Sequence, residues 1–200
     1  MGKIFYGLFT VVMAIVVFLI FCTPYLALAG DSLSDWIYNP GFSWACHQKI
    51  SRSLCLFKDG GGSYFIADCM KQAGSYVQND NRIIKATDEH GNIGYKMPVC
   101  SRDIAIYAAV LLASLIYPFF RKLGSDEVPS AVYLLLALMP MAVDGGLQLL
   151  SELGIGIFGS YESTNMARIV TGAIGGFALP FYIFPLWDHY NSGRPGRGKK

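Results

Sequence analysis

Apolar runs long enough to cross a bilayer recur along this chain, each near the roughly 20 residues that a membrane helix needs. They cover Ile4 to Cys22, Ile104 to Phe120, Val128 to Leu150 with Asp144 inside it, and Ile169 to Trp187. None alternates with a period of two along its whole length, which argues against a membrane barrel. The pattern predicts an all-α membrane protein of four transmembrane helices. A polar stretch between the first two reads as a small extracytoplasmic cap, held by disulfides or a metal. The expected segments are 1–29 for the first helix, 30–103 for the cap, 104–188 for helices two to four and 189–200 for a basic tail.

Composition agrees with that pattern. Hydrophobic residues make up 53% and charged residues 15%, against roughly 25% charged in a typical globular chain. A net charge of +2 without a long basic face excludes a nucleic-acid module, and the apolar content excludes a disordered chain. The expected surrounding is the lipid bilayer. Lys3, Arg121, Lys122 and the tail's Arg194, Arg197, Lys199 and Lys200 share one side if every run crosses. The positive-inside rule then predicts a multi-pass protein of the cell membrane with both termini in the cytoplasm. The outward segment 31–103 has eight basic and eight acidic residues, and loops beyond about 60 residues largely escape that rule. Ala27-Leu28-Ala29 before Gly30 looks like a signal cleavage site. The apolar core before it exceeds the usual 7–15 or so residues of a signal peptide, so a retained helix or signal anchor is expected.

Within the cap, Trp36, Tyr38, Phe42 and Trp44 fit a membrane interface, and Asp59-Gly60-Gly61-Gly62-Ser63 reads as a turn. Tyr64 to Val77 suggests a short helix. Arg82–Ala86 and Ile93–Met97 flank Asp88-Glu89-His90-Gly91-Asn92, the pattern of a hairpin, and Pro98 ends the second strand.

Cys22 lies inside the first apolar run and reads as a buried thiol. Cys46, Cys55, Cys69 and Cys100 fall in the cap, where disulfides persist, and four cysteines allow three pairings. Cys55 with Cys69 would close a loop around the glycines, and Cys46 with Cys100 would join the two ends of the cap. The competing reading is a metal site: Cys46, His47, Cys100 and Asp103 offer thiolates, an imidazole and a carboxylate that suit zinc.

A charge inside a membrane helix costs about 2.5–3.5 kcal/mol on insertion scales, so each requires a reason. Asp144 and Gln148 lie one turn apart on the third helix, and Arg168 and Thr171 one turn apart at the start of the fourth. Arg102 and Asp103 open the second helix on the same outer side. One reading is a polar pocket that opens outward. The other is a packing cluster in which Asp144 pairs with Arg168. Gly145-Gly146 and Gly172-x-x-x-Gly176 read as close-packing surfaces.

Cys46-His47-Gln48, Arg52-Ser53, Pro98-Val99-Cys100-Ser101-Arg102, Asp144-Gly145, Gln148 and Glu162-Ser163-Thr164-Asn165-x-x-Arg168-x-x-Thr171-Gly172 together resemble a known pattern. It is that of the small bacterial and archaeal membrane proteins called domain of unknown function 2085. The resemblance implies topology and marked residues, here Asp144, Gln148, Glu162, Asn165 and Arg168, and no reaction. The family usually carries Pro-Val-Cys-x-Arg-Cys; Asp103 replaces its second cysteine here.

Three classes of function remain in view. An outward-facing hydrolase or transferase, metal-assisted, or a ligand-binding protein would act on a lipid-linked or anionic substrate. Asp144 or Asp103 would serve as acid, base or metal ligand, and Arg168 would hold the anion, with Gln148, Arg102, Glu162, Asn165 and Thr171 around them. No H-E-x-x-H, G-x-S-x-G or P-loop motif is present. The alternatives are a structural or accessory subunit of a membrane complex and a small transporter that works as a homo-oligomer.

Overall fold

A computed structural model describes residues 2–44, 49–79, 83–154 and 161–192. In chain order the elements are α1 (Gly2–Ala29), a one-turn α2 (Leu33–Trp36), β1 (Leu54–Lys58), β2 (Tyr64–Asp68), a one-turn α3 (Cys69–Gln72), β3 (Ala73–Gln78), β4 (Ile84–Asp88) and β5 (Ile93–Lys96). The long helices α4 (Ser101–Phe120) and α5 (Ala131–Glu152) follow, then α6 (Asn165–Ala178) and α7 (Pro180–Ser192). Among the described residues, four stretches are long and apolar enough to cross a membrane: α1, α4, α5 and the α6–α7 pair over Asn165–Asn191. The chain divides into two compact units, one built from 1–16, 105–163 and 167–200, the other from 17–104 and 164–166.

The expectation of an all-α protein is overturned. The second unit contains a five-stranded antiparallel sheet in the order β2-β1-β5-β4-β3. The hairpin expected around Asp88–Asn92 is β4–β5. The helix expected from Tyr64 to Val77 is instead β2, a single helical turn and β3. Tyr64, Phe65 and Ile66 favour an extended chain, and alternation puts Phe65 and Ala67 against the sheet core while Tyr64 and Ile66 stay half-exposed. That core gathers Ile50, Cys55, Phe57, Cys69, Ile84 and Ala86. The Cys55–Cys69 disulfide lies within it, as one of the expected pairings has it. Asp68 stops β2 by accepting from the N–H groups of Met70 and Lys71, which caps α3. Gly94 faces Phe57 so closely that a Cβ there would meet the ring at 2.5 Å.

In the first unit, aromatic side chains fill the space between helices. Phe5 stacks on Trp187 at 4.1 Å, and Phe184 packs edge-on against Tyr6 and Tyr117. Tyr6 donates to the Ser114 carbonyl and Tyr182 to that of Ser130, so both phenols are satisfied. Large apolar residues such as Ile4, Leu8 and Phe119 are exposed, as lipid-facing positions should be. The fourth span is not one helix: Leu179 interrupts it, and Pro180, with no N–H, starts α7.

Close helix packing is visible at Gly176, where a Cβ would lie 2.6 Å from the carbonyl oxygen of Ile106 on α4. Gly146 on α5 has open space instead. Gly176→Ala is therefore expected to cost about 1–3 kcal/mol through overpacking. Gly146→Ala should be neutral or slightly stabilising, since alanine favours helix by up to about 1 kcal/mol. Thermal unfolding of both variants in detergent checks the contrast.

The β4–β5 turn offers a second test. Burial would raise the pKa of Asp88, but the side chain and N–H of Asn92, the Gln72 amide and the His90 N–H all donate to its carboxylate and hold the pKa below the usual range. A carboxyl with a depressed folded-state pKa adds stability that is complete above its unfolded pKa of about 3.9. That stability is lost as pH falls through the lower folded value. Asp88→Asn should thus melt below wild type at pH 7, and the gap should narrow only below about pH 4.

Candidate polar sites

On α5, Asp144, Gln148 and Glu152 follow at intervals of four, which sets all three on one helix face. The extended segment 161–164 precedes α6, and alternate residues of an extended chain point the same way. Tyr161 and Ser163 accordingly both reach Asp144: the phenol donates to Oδ1 at 2.7 Å and the Ser163 hydroxyl to Oδ2 at 2.8 Å. Arg168, the fourth residue of α6, donates from Nη2 to the Gln148 side-chain oxygen at 3.0 Å. The Gln148 amide then donates to Glu152 at 3.4 Å. Asp144 and Arg168 are 7% and 2% exposed. The expected residues Asp144, Gln148 and Arg168 are thus gathered on one α5 face. Thr171 turns its hydroxyl back to the Ala167 carbonyl of its own helix at 2.9 Å.

A second polar set lies in the sheet-containing unit and centres on Asn165. Its amide donates to the Asp68 carboxylate at 2.9 Å and to the carbonyls of Ser51 and Ser53 at 3.3 and 3.4 Å. Its own carbonyl accepts from the Ser101 hydroxyl at 2.6 Å. One amide thereby fastens the end of β2, the turn before β1 and the first residue of α4. At that same helix start the Cys100 thiol donates to the Asp103 carboxylate at 3.0 Å, with Arg102 between them. Glu162 is exposed.

The zinc reading finds no support. Among the described residues no three His, Cys, Asp or Glu side chains stand together. Cys46 and His47, the other half of the proposed ligand set and of the Cys46–Cys100 pairing, lie outside the described residues.

Tyr161, Ser163, Glu152, Ser101 and Asp68 hold these sets together and were not among the expected site residues. Glu152 had a readable signal, the interval of four after Gln148. Tyr161 and Ser163 had a weaker one, two hydroxyls spaced by two just ahead of a helix. Asp68 had none, because its partner is 97 positions away in sequence.

Asn165→Ala should cost about 1–3 kcal/mol, since it strips a donor from a carboxylate and two buried carbonyls. Asn165→Asp should cost more, because it sets a second negative charge against Asp68. Melting temperatures of the two variants give the order.

The profile of a family described as predicted membrane protein (DUF2085) matches residues 92–182. An uncharacterised protein of Methanocaldococcus jannaschii is 33% identical over 173 residues, which cover 84% of this chain and 83% of that protein. No solved structure matches the chain.

Proposed function

We propose, for a chain that belongs to the DUF2085 family of predicted membrane proteins, that the polar face of α5 is a ligand site rather than a packing device. On this reading it takes a phosphate-bearing, lipid-linked molecule. Arg168 holds the anion, Gln148 fixes the guanidinium, and Asp144 is the acid–base residue held in place by Tyr161 and Ser163. The observation that supports this reading is the convergence of Asp144, Tyr161, Ser163, Gln148 and Arg168 on one face of α5, within helices long and apolar enough to span a membrane.

Magnitudes favour it. A charge in a membrane helix costs about 2.5–3.5 kcal/mol, while a hydrogen bond between membrane helices returns about 0.6 kcal/mol on average. Ionisable residues kept at such a cost mark a function by default. An arginine also suits a phosphate better than lysine would, since its planar fork can donate two parallel bonds.

A second reading is favoured by the near-complete burial of Arg168 itself. A guanidinium closed off from solvent can serve to orient α6 on α5, as it would in an accessory subunit of a membrane complex.

Farnesyl phosphate, an apolar chain with a phosphate end, separates the two readings. Added to the detergent-purified protein, it should raise the melting temperature, and Arg168→Gln should weaken its binding roughly 10- to 100-fold, the worth of a charge-assisted bond. Asp144→Asn should keep the fold and the binding. If Arg168→Gln lowers the melting temperature by itself and farnesyl phosphate shifts neither protein, the packing reading holds and the ligand site is wrong.

A further inference from the structure

The sheet-containing unit carries a cleft of about 520 Å³ that the reading above does not use. One wall is the end of α1, from Ala27 to Gly30. The other is the sheet face on which Lys58, Ile93, Tyr95 and Lys85 stand in register: Lys58 lies opposite Ile93, and Lys85 opposite Tyr95. Two ammonium groups therefore flank a floor of one aromatic and one aliphatic side chain.

The charges of this cleft favour an anion. Among the described residues, Asp59 is the one carboxylate that lines it, and that group caps its own turn by accepting the Ser63 N–H at 2.7 Å. The Asn92 amide is spent on Asp88 at 2.9 Å. The last carbonyls of α1 accept from the N–H groups of Gly30 and Asp31 at 3.1 and 3.0 Å, which blunts the negative helix end. Among the described residues, no carboxylate lies in ion-pair range of Lys58 or Lys85, and both are exposed.

The position of the cleft names its surroundings. Helix α1 has 28 residues, several more than the roughly 20 that cross the hydrocarbon core, so its last turns can stand among lipid headgroups. Tyr25 of α1 and Tyr64 of β2 contact each other at 5.1 Å, half-exposed, the kind of pair that settles at a membrane–water boundary. The Lys58 ammonium lies 5.8 Å from the centre of the Tyr64 ring.

We infer that this cleft binds the phosphate group of an anionic membrane lipid, with Lys58 and Lys85 as the two cations that hold it. The headgroup enters between the sheet and the end of α1, and the acyl chains run down the apolar surface of that helix. A net-negative headgroup is selected over a zwitterionic one because, among the described residues, no carboxylate stands in ion-pair range of either lysine.

Short-chain phosphatidylglycerol, short-chain phosphatidylcholine and inorganic phosphate, each titrated into the full-length protein in neutral detergent and followed by thermal shift and native mass spectrometry, test this. Phosphatidylglycerol should bind saturably and phosphatidylcholine should not compete. The double variant Lys58→Gln/Lys85→Gln should bind about tenfold more weakly or worse, with its ligand-free melting temperature unchanged. Lys58→Arg/Lys85→Arg, which keeps both charges, should bind as wild type does. Arg168→Gln should also bind phosphatidylglycerol normally, which separates this cleft from the α5 site. Inorganic phosphate that protects equally well at the same concentration would keep the phosphate site and overturn lipid as its source. Equal binding of phosphatidylcholine, or undiminished binding by the glutamine double variant, would overturn the inference altogether.

Discussion

A carboxylate within a membrane-spanning helix must have its acceptor positions filled by protein, because water is scarce there. Asp144 imposes that demand on α5, and the local chain path answers it. Tyr161 and Ser163 both donate to the carboxylate, and the stretch that carries them lies extended before α6 starts. Only then does α6 begin, which sets Arg168 against Gln148 one turn beyond Asp144. The extended connection and the placement of Arg168 beside Gln148 thus share one polar face of α5.

The sheet-containing unit has its own anchor in Asn165. A carboxamide carries both donor and acceptor, and here it uses both: carboxylate and carbonyls on the nitrogen side, the Ser101 hydroxyl on the oxygen side. No other side chain of that size serves both kinds of partner without leaving one of them bare. Tyr38 reinforces the same unit, since its phenol donates to the Lys96 carbonyl. Burial, with some repulsion from Tyr95, raises its pKa far above the usual tyrosine value, so it stays a donor across the physiological range.

Much of the helical part was readable because long apolar runs have few alternative explanations. The break at Leu179 was not, although Pro180 stands in plain view. Pro24, Pro118 and Pro140 all sit inside unbroken helices of this chain, so proline alone does not locate an interruption in a membrane segment. The sheet was half visible. The β4–β5 hairpin has a turn whose residues announce it, whereas β2 and β3 are joined by a helical turn around Cys69 that blurs the alternation on either side. The polar residues on α5 could be placed by helical period. Those that reach them from the 161–164 segment and from β2 could not, because an extended chain and a distant strand leave no periodic trace.

The disulfide has a consequence for how copies of this chain meet. Strand β2 is at the edge of the sheet, with Tyr64 and Ile66 half-exposed and one row of backbone groups facing outward. Such an edge invites a strand from another molecule, or exchange of the edge strand between two molecules. Cys55 in β1 and Cys69, just past the end of β2, are covalently joined across 14 positions. The hairpin therefore cannot slip by a residue, nor can β2 leave its own β1 for a neighbour's. Once oxidised, each chain keeps β2 on its own β1, and association of copies through that edge has to use a surface already formed.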